Sequence, residues 1–470
     1  MLHGAGRSLG AAALTAGLAI SRPCAAADSD APRRIRTGAE ILAFLALDFG
    51  LLYVSTAPVA DPPGNVRVID KLTLKAWSFD ASSFATNFLA HPLAGSLFYT
   101  TARSNRSGPL ESLGWASLAS LTWEMAEFRE NVSFNDLIVT PIAGASIGEP
   151  LVQVSRWLGR RSASPAARAL ASVLFPLGWL NGAAPANDGE QGALAADLLV
   201  ISAERAGSGA EMGVRVATKL IHFPGFGMPG EGAQLGFAGN VSAISVDVRA
   251  SRSGLSHLRV LAGTALGTLY QRRIDTDGMG WDLLLSAEVA YDLRQHEWDA
   301  RAIDGWSSVH APGIGFQLRR LAGPLRISAA ANVALTFGGA RSFLLDADGP
   351  IVPMAALTTT QRAWGYTMGW GASAAPSLAV AYGPLSVEMA AAIDTRYGIL
   401  RPDPWPDRNP SARISDSWSS LRGGAAVKLP WRDLQISASL ERNLRRGSAG
   451  AYAHAAGETV ALVGFGIALR

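Results

Sequence analysis

The sequence predicts a mixed protein, an N-terminal α-helical domain followed by an antiparallel transmembrane β-barrel of about 12 strands. Three observations carry this prediction. The hydrophobic period changes from helical to strictly alternating near residue 193. Beyond that point short and long connections alternate along the chain. The composition is also too apolar for an ordinary soluble protein, with 49% hydrophobic and 17% charged residues and a mean hydropathy of +0.18, against a usual charged share of roughly 25%. No stack of apolar helical spans accompanies it.

Composition removes several classes at once. The chain is too apolar, and its net charge of +3 too small, for disorder. The 41 basic residues nearly balance 38 acidic ones and form no dense run, which argues against nucleic acid despite a pI of 9.1. One cysteine excludes a disulfide scaffold and a cysteine-based zinc site, and no cofactor motif appears.

Residues 1–27 read as a secretory signal. Arg7 supplies the basic start, Leu9 to Ile20 the apolar stretch, and Ala25-Ala26-Ala27 the small-residue cleavage site. The single Cys24 belongs to this segment, so the exported chain carries no thiol that an oxidising compartment would attack.

Residues 28–182 are read as the helical domain. Ala39 to Ala57 is almost wholly apolar but holds Glu40 and Asp48, which marks a buried or interfacial helix rather than a span. Further helices are expected at 81–102, from Ser107 and Pro109 to Phe128, from Ser133 through a bend at Pro141 to Trp157, and near 164–175. Asn181 to Gly192 reads as the linker into a barrel spanning 183–470.

The barrel segments alternate. Trp281, Leu283, Leu285, Ala287, Val289, Tyr291 and Leu293 form one row, opposed by Asp282, Ser286, Glu288, Asp292 and Arg294. Strands are expected near 194–204, 211–220, 240–250, 257–270, 280–294, 312–321, 324–338, 364–382, 384–398, 417–429, 433–444 and 458–469. Each approaches the roughly 9–11 residues that a tilted strand needs to cross a bilayer. Tight turns at Ala322-Gly323-Pro324, Gly383-Pro384 and Leu429-Pro430-Trp431 alternate with loops at 295–311, 339–363, 399–416 and 445–457. Short periplasmic turns and long outer loops are the barrel asymmetry. Trp281, Trp364, Trp418, Trp431, Tyr270, Tyr291, Tyr382 and Tyr397 near strand ends suit interfacial girdles. Arg442 is the outward charge, at the outer end of its strand. The inward rows mix both signs, among them Asp282, Glu288, Asp394, Arg396, Arg422 and Glu441, which predicts a salt-bridged lumen.

The helical domain holds an ordered string of polar and small residues: Asn87, His91-Pro92, Gly95-Ser96, Tyr99, Ala102-Arg103-Ser104-Asn105, Glu111-Ser112, Trp123-Glu124, Ser133, Asn135-Asp136-Leu137, Thr140-Pro141, Gly144 and Gly148-Glu149. This string resembles the bacterial family called domain of unknown function 3943, over about residues 65–160. The family pattern has Gly after Arg-Ser-Asn, where this chain has Arg106. The resemblance implies an envelope protein and no mechanism.

His91, Ser96, Arg103, Glu124, Asp136 and Glu149 are the candidate catalytic residues, because together they supply a base, a nucleophile, orienting carboxylates and an anion clamp. Ser117, Ser120, Glu124 and Glu127 fall at helical spacing. Each candidate also has a structural reading. Ser133 with Asp136 forms a capping box, His91-Pro92 ends a helical turn, Arg103 pairs with Glu124, and Gly144 and Gly148 admit a close neighbour. No metal site is expected. The expected setting is a Gram-negative outer membrane, with the lipid bilayer and the barrel-assembly machinery as partners, an unidentified envelope partner besides, and no nucleic acid. A structural or binding role, a membrane-embedded hydrolase and a small-solute channel remain the three functional alternatives.

Overall fold

The computed structural model describes residues 31–54, 67–79, 82–127, 130–161, 164–182, 193–205, 209–237, 239–252, 254–297, 303–341, 365–399, 414–430, 434–449 and 452–469. The expected signal at 1–27, most of the expected linker, Trp364 and Trp431 lie outside the described residues. The chain divides into two compact units, Met1–Ser82 with Ala90–Asp188, and Ser83–Leu89 with Gly189–Arg470.

The first unit is helical. It comprises α1 (Arg34–Val54), α2 (Val68–Leu72), α3 (His91–Ser104), α4 (Pro109–Ala126), α5 (Phe134–Arg161), α6 (Pro165–Leu174) and α7 (Pro176–Leu180). Two short strands, β1 (Trp77–Ser78) and β2 (Val132–Ser133), pair in parallel. His91-Pro92 stands where a π-helical turn at Thr86–Ala90 ends and α3 begins, a first-turn position where the missing proline N–H costs least. Pro109 likewise opens α4, but the cap position is Gly108 and not the expected Ser107.

The second unit is a closed antiparallel barrel. Its strands are β3 (Ala193–Arg205), β4 (Gly209–Ile221), β5 (Gly230–Phe237), β6 (Val241–Ser251), β7 (Gly254–Ile274), β8 (Gly280–Glu297), β9 (Ile303–Ala322), β10 (Leu325–Arg341), β11 (Tyr366–Tyr382), β12 (Leu385–Gly398), β13 (Ile414–Lys428), β14 (Leu434–Ala449) and β15 (Tyr452–Leu469). The sheet runs β7-β6-β4-β3-β15-β14-β13-β12-β11-β10-β9-β8, and β8 then pairs with β7 from Ile274↔Gly280 to His257↔His296. Twelve strands therefore make the ring, and β5 pairs onto β7 beside it. Closure removes every free edge within the wall, which a sheet in hydrocarbon requires.

All twelve expected strands are present, several of them longer than expected. β8 and β9 continue to Glu297 and from Ile303, and β14 and β15 to Ala449 and from Tyr452, so the loops expected at 295–311 and 445–457 shrink to a few residues. The extension of β9 hides from periodicity because its inward positions include the aromatic Trp306. β5 was not expected at all; its glycines at 230, 232 and 236 erase the alternation.

Side chains that join strands lying apart in the ring identify the inner face. Arg445 of β14 reaches Asp304 of β9 at 2.7 Å, His296 of β8 reaches Glu458 of β15 at 2.8 Å, and Lys219 of β4 donates to Gln317 of β9 at 2.5 Å. The opposite face carries exposed Leu285, Ile314, Val333, Leu378, Val387, Met389, Leu440 and Phe465. On β12 the whole outward row (Leu385, Val387, Met389, Ala391, Ile393, Thr395, Tyr397) is uncharged. On β11, outward Trp370 and Tyr382 bracket twelve residues of wall, about 30 Å along the membrane normal for a strand tilted roughly 40°. Arg442 also faces outward and donates to Thr459 at 2.9 Å, but β14 runs on to Ala449, so Arg442 stands mid-strand and not at the outer end expected.

The aromatic expectations are partly corrected. Tyr382 and Tyr397 are exposed on the outward face. Trp418 instead lies in the lumen against Arg294 and Trp306, and Tyr270 lies there against Phe223. Tyr291 faces outward but is buried, and its hydroxyl donates to the Phe88 carbonyl. The strand-end position is the same in all these cases. Which face an aromatic takes depends on the local register, and period alone does not supply that near a bulge.

Ring closure generates a test. In a Cys24→Ser background, which removes the one cysteine, Leu269→Cys and Leu285→Cys occupy directly opposed outward positions on β7 and β8. Mild oxidation should join them with little strain, read as a mobility change on an unreduced gel. Failure to cross-link in folded, heat-modifiable protein would mean an open seam.

Candidate functional site

The helical unit is organised around buried polar side chains. α3 and α5 cross at nearly backbone contact: a Cβ on Gly95 would lie 1.9 Å from the Thr140 carbonyl oxygen, and one on Gly144 would lie 2.4 Å from the Gly95 carbonyl carbon. A Cβ on Gly148 would lie 2.7 Å from the Tyr99 ring. The glycines of the motif therefore set the helix spacing.

That spacing places Arg103 of α3 against Glu149 of α5. Arg103 Nε donates to Oε2 at 2.9 Å and Nη2 to Oε1 at 3.3 Å, while the Tyr99 hydroxyl and the Gln153 amide donate to the same carboxylate at 2.8 and 2.5 Å. Glu149 is fully buried. Its oxygens accept from four donors, so the hydrogen-bonding capacity of this buried side chain is satisfied. Arg103 Nη1 also donates to the Ser107 carbonyl at 2.5 Å, bracing the turn after α3. Arg103 thus pairs with Glu149, not with Glu124. The turn itself runs through Arg106 at φ +70°, a conformation that favours glycine and accounts for the glycine of the family pattern.

A second cluster closes around Glu40 of α1. Asn105 Nδ2 donates to it at 2.6 Å, Arg36 Nε at 2.8 Å and Asn181 Nδ2 at 3.2 Å, and Asn181 also donates to Ser104 at 2.8 Å. The Arg-Ser-Asn triplet thus splits its work, with Arg103 holding α5 and Ser104 and Asn105 holding α1 and Asn181.

The third cluster joins α4, β2 and the start of α5. Glu124 Oε2 accepts the Ser133 backbone N–H at 2.6 Å. Ser133 Oγ accepts the Asp136 N–H at 3.3 Å, the expected capping box, and Asn135 donates to Asp136 at 3.0 Å. His91 Nε2 lies 3.6 Å from Asp136 Oδ1. His91 is partly exposed while Asp136 is buried. Burial pushes the nearby Asp48 carboxyl up, against an opposing pull from His91. Lys71 donates to the Glu124 and Glu127 backbone carbonyls, and burial pulls its ammonium down against the attraction of Glu127 and Glu124.

The structure therefore brings His91, Glu124 and Asp136 together around Ser133, and sets Arg103 and Glu149 in a separate buried pair. Ser96 is buried on α3, where its carbonyl accepts from Thr100 at 2.7 Å. Of the residues expected on one helical face, Ser120 and Glu124 are buried and Ser117 is exposed. Glu40 and Asn181 carry roles not assigned from the sequence, and Ser133, expected to cap Asp136, also gives its N–H to Glu124. The one available signal was Glu40 as an isolated carboxylate in an apolar run. Among the described residues no group of three or more metal-ligating side chains forms a metal site.

The model of the Domain of unknown function (DUF3943) matches residues 76–177. The DUF3943 segment thus runs from β1 to the start of α7 and contains the Gly95–Gly144 crossing, the Arg103–Glu149 pair and the Ser133 cluster. No curated protein matches the chain. Among solved structures, an anion-selective porin from Comamonas acidovorans is 10% identical with a TM-score of 0.18, covering 59% of this chain and 99% of its own. The outer membrane channel DcaP of Acinetobacter baumannii is 10% identical with a TM-score of 0.19, covering 60% and 99%. The barrel stands on its own closed register, and no solute or pore is carried over from these proteins.

The polar pair inside the DUF3943 segment generates a prediction. Glu149→Gln leaves the buried Arg103 without its counter-charge, which should cost about 3–5 kcal/mol. Trypsin should then cleave the helical unit in membranes while the barrel keeps its heat-modifiable mobility. Wild-type protease resistance would show that Arg103 and Glu149 are dispensable.

Proposed function

We propose that the chain is a Gram-negative outer-membrane protein whose barrel serves as an anchor for a structural or binding role in the envelope, and not as a pore. The filled lumen supports this reading above all. At the short-turn end, the loop after β4 turns inward: Phe223 and Phe226 pack on Tyr270, Arg319 lies over the Phe226 ring at 4.2 Å and bonds Asp282, and Arg272 fills the space beside Gly225. At mid-height Asp247 takes Arg215 and Arg249, Arg249 approaches Glu441 on a distant strand at 3.8 Å, and Asp292 takes Arg259 and Arg294. Toward the long-loop end Arg445 joins Asp304 to Asp416, and Asp394 accepts from Trp306 and Ser308.

A lumen bridged by Arg249–Glu441 and Arg445–Asp304, and filled at its short-turn end by the loop after β4, offers a solute no continuous aqueous column. The cell's barrel-assembly machinery inserts such a protein, and the partner is an envelope component. In planar bilayers the purified full chain should give no discrete conductance steps. Reproducible steps would establish a channel and overturn the anchor reading.

One observation favours a second reading, a membrane-associated hydrolase. His91 and Asp136 stand 3.6 Å apart with Ser133 Oγ at the Asp136 amide, which assembles base, orienter and hydroxyl in one cluster. If it is catalytic, the wild-type chain hydrolyses a fluorescent phospholipid ester, and His91→Ala or Asp136→Asn lowers that rate by about 10²-fold or more. Absence of turnover by the wild type removes this reading.

A further inference from the structure

The helical unit buries charged and polar groups beside its apolar core of Ile41, Phe98, Val139 and Ile147, and leaves other large apolar side chains outside. Inside it lie Arg103, Glu149, Glu40, Asn105, Asn135 and Asp136. Outside, Leu118 is 52% exposed, Trp179 70% and Val173 75%. Soluble helices put the charges out and the leucines in.

The exposed apolar surface is most continuous on α1 and α4. These helices lie side by side and parallel: Arg34 bonds Glu111 at 2.6 Å, Trp115 lies beside Gly38, and Phe49 stacks on Trp123 at 4.2 Å. The exposed stripe of α1 is Ile35, Ala39, Leu42 and Ala46, and that of α4 is Leu110, Gly114, Ser117, Leu118 and Leu121. Neither stripe carries a charge. From Ser112 to Trp123, roughly 18 Å of helix, there is no ionisable residue at all. The hydroxyls turned outward are satisfied by their own helix: Ser117 donates to the Leu113 carbonyl at 2.9 Å and Thr122 to the Leu118 carbonyl at 2.7 Å. In water such hydroxyls need no internal partner, whereas in hydrocarbon they must have one. The close Gly95–Gly144 crossing is also the packing that helices use where lipid replaces the hydrophobic drive.

We propose that this surface is occupied by lipid acyl chains, so that the helical unit inserts into one leaflet of the same membrane that holds the barrel. The proposal rests on the reading of the barrel as membrane-embedded. The uncharged length of α4 matches one leaflet, about half of a hydrocarbon core ~30 Å thick. Covalent continuity points the same way. Ser83–Leu89 belongs to the barrel unit and lies on its outward wall, with Phe84 against Gly305, Phe88 against Gly339 and Asn87 donating to Tyr366 at 2.9 Å. The next residue, Ala90, begins the stretch that belongs to the helical unit. A segment on the barrel's outward face, level with and just beyond the Trp370 girdle, thus leads straight into a bundle whose own exterior is apolar. An aqueous or lumenal bundle has no use for the two uncharged stripes.

The test uses the full chain with Cys24→Ser, reconstituted into phosphatidylcholine vesicles. Single cysteines replace Leu118, Val173, Leu285 or Arg67, and each is labelled with an environment-sensitive fluorophore. Leu285 on the barrel wall is the lipid reference, and exposed Arg67 is the aqueous reference. Labels at 118 and 173 should be quenched by acyl-chain bromolipid at least half as strongly as at 285, and be shielded from iodide several-fold relative to 67. Iodide quenching at 118 and 173 equal to that at 67 overturns the proposal. So does a Leu118→Cys disulfide between two copies that abolishes bromolipid quenching, since a second chain would then cover the face. If 285 itself is not quenched by bromolipid, it is the barrel reading that fails.

Discussion

The absence of water from hydrocarbon governs this structure. Each backbone N–H and C=O that faces lipid must find its partner within the protein, at a penalty of several kcal/mol per group otherwise. A sheet meets that demand only as a ring, and the β7–β8 register from Gly280 to His296 completes it. The ring in turn divides every strand into an outward and an inward row. The outward row takes Leu, Val, Ile and Ala. The inward row becomes the one place within the barrel where charge can be held, and there the charges neutralise one another across the lumen.

The DUF3943 segment also gathers charge inside, in a different secondary structure. Its backbone is satisfied helix by helix, and its charged groups turn toward one another between α1, α3 and α5. Glu149 has four donors and Glu40 has donors from three residues, so neither is a loose carboxylate awaiting a substrate. The Ser133 cluster differs because His91 remains partly exposed, which is why chemistry is sought there first. Gly95 and Gly144 act before any of these contacts, since without their close approach Arg103 and Glu149 would not come within bonding distance.

Alternation made the barrel legible. With period two, a polar row and an apolar row on Trp281–Leu293 leave one arrangement in a bilayer, and all twelve ring strands are visible this way. Strand ends were less legible, because beyond the apolar belt the inward and outward rows stop differing in polarity: Trp306 and Trp418 face inward as readily as Tyr397 faces out. β5 was hidden by its glycines. In the helical unit the motif string was visible but its pairings were not. Arg103 is 46 residues from Glu149, and nothing in the spacing prefers Glu149 to Glu124. Only the glycine crossing decides between them, and it is a property of packing.

The segment on the outer wall sets an order on biogenesis. Asn87 meets Tyr366 across 279 residues of chain, and Phe88 meets Tyr291 across 203. Loops of that length close slowly, as does the β3–β15 seam between Ala196 and Leu469. The aromatic pair Phe84 and Phe88 is synthesised early, yet its seat is made of β8 to β11, which emerge late. Throughout export these rings lack their native cover and have to be kept from other apolar surfaces. The Ser83–Leu89 segment is therefore made before every strand it meets and is seated only once those strands are in place.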